Sequence, residues 1–477
     1  MGIISTIKGW MNMLFGSKAK EVFSVESVTS GVMDKILTEC ANIYKGKPYW
    51  LDSEDDIKTI NFAKTICSET ARLTTLAISI KVDGSARAKW LQERIDKEYF
   101  NIRQWVEYAG AFGTIVLKPN GNGIDLFIPG DNCIVTEQND GEITGIVFAY
   151  TEENDAKKNS WFTRLEYHRF IEDGLYAITN RCFEGNKAYG TDKAIGIDRT
   201  PWAELMEDVT ISTDNGGIRG YLFGVLKMPH ANNVDINSAL SLPLFSEVIE
   251  ELKDLDIAYS RNATEIVDSR RTVLLDSDAL MPSGTKINNT AYGFEQKRNE
   301  MKLPKYVKNV FGRGGDKAFY EEINPELRTE ERLKGINALV SQIGFKVGYS
   351  SGYFVFNEKT GMVTATQVES DDRRTIEFIK DVRDQLECCM DDLIYAMNVF
   401  ADLYDLAPVG TYETTYSFGD VVYSYEQDKQ SWYSYALQGK VPFWYYLTKF
   451  EGFSEDEAKK LCNEAQKQSP KLFEDEE

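Results

Sequence analysis

The chain contains 477 residues, of which 42% are hydrophobic, and its 54 basic and 75 acidic side chains give a net charge of −21. This length is too great for one ordinary core, and the hydrophobic content predicts several folded units rather than disorder. The acidic surplus makes the chain a poor candidate for tight binding to duplex phosphates, so any surface that meets DNA should let it slide rather than hold it.

Cysteine and histidine usage restricts the chemistry further. The seven cysteines are odd in number and show no C-x-x-C spacing, which predicts reduced thiols in the core and a cytosolic compartment. The two histidines, His168 and His230, lie far apart in sequence, which disfavours a histidine metal site or a Ser–His relay. No apolar run reaches the length of a membrane span.

The apolar pattern of the N-terminal part of the sequence predicts two helices. Apolar residues recur at helical spacing from Ile57 to Ile78, and Asp52, Ser53 and Asp55 are the cap candidates. A second helical pattern runs from Ser85 to Ala109. The predicted buried stripe of this second helix consists of Trp90, Ile95, Tyr99, Ile102, Trp105 and Val106.

From Gly113 onward the apolar period changes to two, which predicts an antiparallel sheet. Strands Thr114–Leu117 and Ile124–Ile128 flank a turn at Asn120–Gly123 and form a predicted hairpin. Three further strands continue the meander, and we expect helices to cover one face of the sheet. These strands are Ile143–Tyr150, Phe162–Phe170 and Leu175–Thr179.

Two helices are predicted to flank a loop-rich excursion. The first runs from Ser241 to Arg270, with Pro243 in its first turn, where a missing N–H has no cost. The excursion opens with a strand, Thr272–Leu275. The second helix starts at Asn324 and ends near Gly348. The two helices are therefore expected to lie side by side.

The stretch from Tyr349 to Leu403 carries the most informative pattern. A heptad predicts one long helix whose apolar seam needs a partner surface. The heptad positions are Thr375, Ile379, Val382, Leu386, Cys389, Leu393, Ala396, Phe400 and Leu403. Ahead of the helix stand Gly348-Tyr349-Ser350-Ser351-Gly352-Tyr353-Phe354-Val355-Phe356, a short polar loop, and Thr364-Ala365-Thr366-Gln367-Val368-Glu369-Ser370.

The C-terminal part begins where Ala407–Gly410 breaks the long helix. A Tyr-rich segment from Tyr412 to Tyr425 has strand character, and the residues from Asp428 to Gln468 are predicted to be helical. Within them, Ser454 and Glu457 have the spacing of a capping box.

Motifs that would carry catalysis are missing or lack the right context. Gly312–Lys317 approaches a P-loop but lacks its spacing and the hydroxyl that would meet Mg²⁺. Adjacent carboxylates such as Asp371 and Asp372 point about 100° apart on a helix, so they do not converge on one metal. The Gly-x-Ser-x-Gly pattern at Ser350 follows a helix and precedes a strand-like run, the reverse of a nucleophile elbow. We expect no enzymatic activity, no cofactor and no metal site.

A basic island interrupts the acidic chain within the excursion. Between Lys297 and Lys317 only Glu300 and Asp316 are acidic. Such an island indicates either a docking surface for an acidic partner or phosphate, or a lysine-rich exposed loop. Its basic residues are Lys297, Arg298, Lys302, Lys305, Lys308, Arg313 and Lys317.

The segment from Gly348 to Phe356, the polar loop after it, and Thr-Ala-Thr-x-Val-x-Ser at the start of a long helix together resemble the portal proteins of tailed double-stranded-DNA bacteriophages. The family more often has Glu at the position of Gln367, a change that affects a local salt bridge at most. The resemblance covers most of the chain, more loosely outside these segments. It implies an α+β, mainly helical subunit that assembles as a ring.

The resemblance also implies how the chain is divided. A wing of N-terminal helices and antiparallel sheet would span 1–235, and a two-helix stem would carry a small α/β clip. The remaining boundaries are stem helix 1 at 236–270, clip at 271–324, stem helix 2 at 325–346, tunnel loop at 347–364, long wing helix at 365–410, and a helical crown and tail at 411–477.

Three sets of site residues follow from the resemblance. The tunnel loop would approach the DNA with a tip formed by Asn357, Glu358, Lys359, Thr360 and Gly361. The clip is where motor and tail adaptors attach in the family, which favours docking as the role of the basic island. The helix seam of the core or ring would consist of Ile379, Val382, Leu386, Leu393 and Phe400.

The implied function is that of a non-enzymatic portal, a dodecameric ring at one capsid vertex that is assembled in the host bacterial cytoplasm and carried in the virion. Its partners would be the terminase large subunit during packaging, head-completion or adaptor proteins afterwards, the major capsid and scaffold proteins, and double-stranded DNA without sequence specificity; no membrane is involved. The alternative is another head–tail connector or capsid scaffold ring component without DNA gating. A terminase or nuclease subunit is disfavoured by the missing P-loop and the scarcity of histidine.

Overall fold

The computed structural model describes residues 16–52, 57–121, 123–172, 174–212, 218–268, 272–276, 307–310, 320–323, 328–355, 373–419, 425–451 and 453–468. These residues form a mixed α+β fold of helices and mainly antiparallel sheets, as the sequence predicts for the fold class. No helix in these ranges is both long and apolar enough to cross a membrane.

In the described residues, four helices precede the main sheet: α1 (16–23), α2 (Gly31–Tyr44), α3 (Phe62–Thr74) and α4 (Ala86–Phe112). The predicted helix from Ile57 to Ile78 is therefore too long at both ends. Its expected cap, Asp52, belongs to a short 3₁₀ helix, whereas Ser53 and Asp55 lie outside the described residues. The helix begins instead after Asn61, which adopts a left-handed conformation with φ of 51°.

The residues before α3 are not helical because their backbone donors are already bonded elsewhere. The Lys58 N–H donates to Ser260 Oγ at 2.8 Å and the Ile60 N–H donates to Asp256 Oδ1 at 3.0 Å. Both acceptors lie on α5 (Ile249–Asp268). The second predicted helix, Ser85–Ala109, corresponds to α4. Its predicted buried stripe is wrong at Tyr99, which is 47% exposed and packs on Phe100.

The predicted strands are present. The hairpin consists of β2 (Thr114–Pro119) and β3 (Ile124–Phe127), and β10 (Gly224–Lys227) pairs with the other edge of β2. A six-stranded sheet has the order β4-β5-β6-β7-β8, with β9 also paired to β7, and all of its pairs are antiparallel. Its strands are β4 (Cys133–Asn139), β5 (Glu142–Glu153), β6 (Trp161–Glu172), β7 (Leu175–Gly185), β8 (Lys193–Ile195) and β9 (Asp208–Ile211).

The long helix α7 (Arg373–Leu403) runs through the main hydrophobic core. Ile379, Val382, Leu386 and Leu393 are at most 1% exposed and pack with apolar residues of α3, α4 and β2 in the same chain. Phe400 is only partly buried, in a separate cluster beside the six-stranded sheet. The chain itself thus supplies a partner surface for this part of the heptad, which agrees with the core alternative for the seam.

A close approach of backbones fixes α7 against the small sheet. A Cβ atom added to Gly224 on β10 would lie 2.5 Å from the carbonyl oxygen of Cys389 on α7. Because no side chain fits in that gap, glycine is what allows this strand to lie against the helix.

The predicted pair of helices is α5 and α6 (Thr329–Val347). They lie antiparallel, since Glu251 near the start of α5 pairs with Lys346 at the end of α6, and Glu265 pairs with Arg332 at the opposite ends. The prediction that the first helix starts at Ser241 is wrong, because the Ser241 and Leu244 N–H groups are bonded to Thr114 Oγ1 and the Gly110 carbonyl. Pro243 consequently precedes the helix instead of occupying its first turn.

The described residues between α5 and α6 form three short strands. β11 (Thr272–Asp276) pairs in parallel with β12 (Val307–Val310) and antiparallel with β13 (Tyr320–Ile323). The strand expected at Thr272–Leu275 is confirmed as β11.

The C-terminal part divides between two regions. β14 (Tyr412–Ser417) pairs antiparallel with β1 (Ser79–Gly84), so the first residues of the predicted crown are hydrogen-bonded to the predicted wing. Helices α8 (Tyr425–Leu437), α9 (Phe443–Phe450) and α10 (Glu455–Gln468) follow. The predicted capping box is confirmed, with the Ser454 N–H donating to Glu457 Oε2 at 3.2 Å and the Glu457 N–H donating to Ser454 Oγ at 3.4 Å.

All seven cysteines are free thiols. Cys40, Cys67, Cys133, Cys182 and Cys389 are buried as expected, whereas Cys388 is exposed and Cys462 is half-buried. The exposed thiol corrects the expectation that the cysteines pack in the core.

Candidate functional site: the base of the loop between α6 and α7

The candidate site starts where α6 ends at Gly348. This residue has φ of 120°, a conformation that favours glycine, and an added Cβ would lie 2.9 Å from Cγ of Phe378 on α7. The chain therefore turns out of α6 in direct contact with α7. The turn places the following tyrosine in the core.

Tyr349 anchors the segment to α3. Its side chain is fully buried, and its hydroxyl lies 2.7 Å from Thr70 Oγ1. Since the Thr70 hydroxyl donates to the Ile66 carbonyl at 2.9 Å, the Tyr349 hydroxyl is the donor to Thr70. Burial raises the pKa of Tyr349 far above its ordinary value, so the phenol stays protonated and keeps this bond.

Ser350 and Thr375 join the two ends of the loop. The Ser350 N–H donates to Thr375 Oγ1 at 2.9 Å, and the Thr375 N–H donates to Ser350 Oγ at 3.3 Å. Thr375 lies in the first turn of α7, where backbone N–H groups have no partner within the helix. Ser350 thus serves as an N-terminal cap for α7 from the far side of the loop.

The next residues form compact turns. Tyr353 N–H donates to the Ser350 carbonyl at 3.2 Å, and the Gly352 N–H donates to Ser341 Oγ on α6 at 3.2 Å. Phe354 packs on Tyr349 with ring centroids 4.7 Å apart. The strand-like reading of this run is therefore wrong, because its donors bond locally and to α6.

A charged group on α3 holds the outer edge of the turns. The Tyr353 hydroxyl donates to Glu69 at 2.5 Å, and Arg72 donates two hydrogen bonds of 2.7 Å to the same carboxylate. The hydrogen bonds from Arg72 hold the pKa of Glu69 below its usual value, with Tyr353 adding to the effect. Glu69 therefore stays ionised and able to accept all three bonds at neutral pH.

Arg374 completes the base by capping α6. Its Nη2 donates to the Phe345 carbonyl at 3.0 Å, one of the last carbonyls of that helix. Its guanidinium also stacks on the Phe345 ring at 4.0 Å. The end of α6 is thus capped by a residue of α7, and the start of α7 is capped by Ser350, which follows α6.

The structure describes the base of the loop but not its tip. Asn357, Glu358, Lys359, Thr360 and Gly361 lie outside the described residues. Of the basic island, Lys308 lies on β12 opposite Leu274 of β11. The remaining island residues, Lys297, Arg298, Lys302, Lys305, Arg313 and Lys317, also lie outside the described residues.

Sequence reasoning missed the residues that hold the loop from a distance. Thr70, Glu69 and Thr375 supply the partners of Tyr349, Tyr353 and Ser350, yet nothing in their local sequence marks them. In the described parts of the chain, no group of three or more His, Cys, Asp or Glu residues could hold a metal ion.

Comparison with known proteins gives little further information. No family model and no curated protein matches the chain. Among solved structures, one similar chain belongs to a structure titled "Neck of empty GTA particle computed with C6 symmetry". The match covers 87% of this chain and 92% of that chain at 9% identity, with a TM-score of 0.38. A similarity at this level assigns neither a fold nor a function.

Proposed function

We propose that this chain is a non-enzymatic portal subunit of a tailed double-stranded-DNA bacteriophage. Twelve copies would form a ring at one capsid vertex, with a central channel through which the genome passes in both directions. The wider class, a head–tail connector of a phage-like particle, is the coarser form of the same proposal.

The observation that carries the proposal is the loop base between α6 and α7. Two antiparallel helices, α5 and α6, flank a small three-stranded sheet and lead directly into a loop whose two ends are joined by Ser350 and Thr375. The segment at this base is the one that resembles the portal family. A loop that must press repeatedly on a moving duplex needs a fixed base, and this arrangement supplies one.

The charge of the chain agrees with a channel that guides DNA without holding it. A net charge of −21 per subunit repels phosphates, so contact with the duplex would be limited to local basic groups. Glu358 and Lys359 at the loop tip would repel and attract passing phosphates in turn, and these contacts would re-form as the duplex advances.

The partners would attach at the sheet between α5 and α6, in the role of the clip. The basic island from Lys297 to Lys317 would meet the terminase large subunit during packaging and head-completion or adaptor proteins afterwards. The major capsid and scaffold proteins would surround the ring in the virion.

The assembly is tested by negative-stain images of the purified protein. A twelve-fold ring with a pore about as wide as one duplex is expected. A monomer with ATPase activity would refute the proposal, and a ring whose pore is closed to a duplex would favour a connector without DNA gating.

The loop is tested by replacing residues 357–361 with a glycine–serine linker of equal length. Rings should form as in the wild type, but packaging or retention of DNA should fail. A matched control replaces the exposed turn residues 155–158 between β5 and β6, which should leave both rings and packaging intact. If the loop variant packages and retains DNA normally, residues 357–361 act only as a spacer and do not contact DNA.

The docking surface is tested by charge reversal at Lys302, Lys305 and Lys308. Binding to the terminase large subunit should weaken, most clearly at low salt, while rings remain intact. The control reverses three exposed lysines elsewhere, Lys35, Lys158 and Lys193, and should bind as the wild type does. If both variants bind the terminase large subunit equally weakly, the island acts only through the net charge of the chain and is not a docking surface.

A further inference from the structure

A cavity of about 490 Å³ lies between the helical layer and the six-stranded sheet. Its walls come from α4, the β2–β3 hairpin, the sheet strands β5 to β7 and β9, the loop before β9, and the C-terminal end of α7. This volume is in the range of small-molecule binding sites. The proposed portal function does not use it.

Large apolar side chains line the cavity and remain exposed at its mouth. Met206 is 71% exposed and Tyr404 is 60% exposed, and both border the cavity. Clustered exposed apolar residues of this kind mark a binding surface, because single ones are usual but groups are not. The other members of the cluster are Leu205, Leu403 and Leu406.

The sheet side of the cavity holds a buried charged group. Lys118 Nζ lies 2.8 Å from Glu166 Oε1 and donates to the Tyr150 hydroxyl at 2.6 Å. Arg164 Nη1 lies 2.5 Å from Glu166 Oε2. All three charged residues line the cavity and are at most 6% exposed.

The charges of this group do not balance. Two cations, Lys118 and Arg164, share the single carboxylate of Glu166. His168 contacts the same carboxylate at 2.6 Å, but burial lowers its pKa, so it adds no charge at neutral pH. Arg164 Nε has no hydrogen-bond partner among the described residues. A surplus positive charge in a buried site is costly without an anion.

Charged groups also occur on the other walls, where Arg94 of α4 donates to the Gly121 carbonyl at 3.2 Å. Glu98 on α4 accepts a hydrogen bond from Asn101 at 2.7 Å, and Asp125 on β3 accepts one from Asn120 at 2.8 Å. Glu204 borders the mouth. The sheet side therefore presents two cations against one carboxylate, whereas the other walls present the cation of Arg94 among three acids.

We propose that this cavity binds an amphiphile with a single carboxylate head and an unbranched apolar body, the class of medium-chain fatty acids. The head would lie against Lys118 and Arg164, and the body would replace water along Met397, Phe400 and the mouth. Burial of the apolar chain of the ligand supplies affinity. The contact of the carboxylate with the two cations makes the site prefer anionic head groups. This site is independent of ring formation.

The test compares three ligands of equal chain length below their micelle concentrations: octanoate, octanol and octylamine. Calorimetry with the full chain should show octanoate binding at least tenfold more tightly than octanol, and octylamine more weakly than octanol. Equal affinities for the three ligands, or no binding of octanoate, would overturn the proposal without any variant being made.

Matched variants locate the head. Lys118→Met keeps the apolar stem and leaves Arg164 and Glu166 as a balanced pair, so octanoate affinity should fall about tenfold while octanol affinity stays the same. Glu98→Gln removes an acid from the opposite wall and should leave octanoate affinity unchanged or raise it. Met397→Trp should block both ligands by filling the cavity.

The mouth has one competing occupant, a neighbouring copy of the chain. Loss of subunits from the assembly on Met206→Asp, together with no octanoate binding by the wild type, would assign the apolar mouth to that copy. This outcome overturns the ligand site but leaves the portal proposal standing, so the two can fail separately.

Discussion

At the scale of single residues, a glycine within α6 and the glycine that follows it have opposite roles. Gly348 ends the helix at φ of 120° in contact with Phe378, whereas Gly335 lies within the helix with open space at its missing Cβ. The same substitution should therefore have opposite effects at the two positions. The comparison separates the conformational demand of the loop base from general helix propensity.

Gly348→Ala should lower the free energy of unfolding by about 1–3 kcal/mol, since it adds both left-handed strain and a 2.9 Å contact. Gly335→Ala should raise it by about 0.5–1 kcal/mol, because alanine favours the helix and nothing lies within 4 Å. Urea unfolding of both variants measures the difference. Stabilisation by Gly348→Ala would contradict the geometry of the turn.

Removal of the hydroxyl group should destabilise the protein more at Tyr349 than at Tyr353. Tyr349→Phe should cost about 0.5–1.5 kcal/mol of unfolding free energy, since it removes a fully buried hydrogen bond to Thr70. Tyr353→Phe should cost less, because Arg72 still satisfies Glu69. Urea unfolding of the two variants measures both losses of unfolding free energy. A larger loss for Tyr353→Phe would make Tyr353, at the outer edge of the turns, the main anchor of the segment.

At the scale of elements, the position of α7 within its own chain changes what its seam residues do. Leu386 packs in the core of its own chain, so its truncation should destabilise the fold itself rather than a contact between copies. Leu386→Ala should cost about 2–5 kcal/mol. Lys380→Ala, on the exposed face of the same helix, should change stability by no more than about 0.5 kcal/mol.

The origin of the Leu386 effect is tested by repeating the measurement over a range of protein concentrations. A cost that is independent of concentration agrees with a core position. A cost that grows on dilution would restore an interface role for the seam.

Element types could be predicted from the sequence because apolar period and turn residues are local properties. The hairpin at β2–β3 and the capping box at Ser454 are examples. Helix starts could not be predicted where a distant acceptor decides them. Ser241 and Lys58 lie in apolar helical patterns, but their N–H groups bond to Thr114 and Ser260, and no local pattern reveals such partners.

The candidate site could likewise be predicted from the sequence only where local residues define it. The segment around Tyr349 was identified from its residues, whereas Thr70, Glu69 and Lys118 act through contacts that only the fold creates. The pairing of two cations with Glu166 is invisible in the sequence, because Arg164 and Glu166 are neighbours on β6 but only the fold brings Lys118 of β2 to them.

At the scale of the whole molecule, stability should depend on pH through the buried histidine. Burial lowers the pKa of His168 in the folded chain, so the unfolded chain binds more protons as the pH falls below about 6.5. His168 should therefore contribute a loss of stability as the pH falls from about 7 to 5.5, and so should His230, whose pKa burial also lowers. Asp392, whose pKa burial raises to about 6, contributes in the opposite sense. Glu166, whose pKa is well below its ordinary value, should add to the loss only below about 4.5.

His168→Gln should reduce this slope between pH 7 and 5.5, since glutamine does not titrate but can still donate to Glu166. Chemical unfolding at several pH values at one protein concentration measures both slopes. Identical slopes would assign the pH dependence to other groups.

The pairing of β1 with β14 has a consequence for the time course of synthesis. Ser79 of β1 is matched with Ser417 of β14, so a ribosome must add hundreds of residues after the first strand before its partner exists. At about 5–20 residues per second this interval is on the order of 15–70 s. During it, the unpaired edge of β1 needs protection from other nascent chains. Completion of the fold, and any assembly that depends on it, therefore waits until nearly the whole chain has been translated.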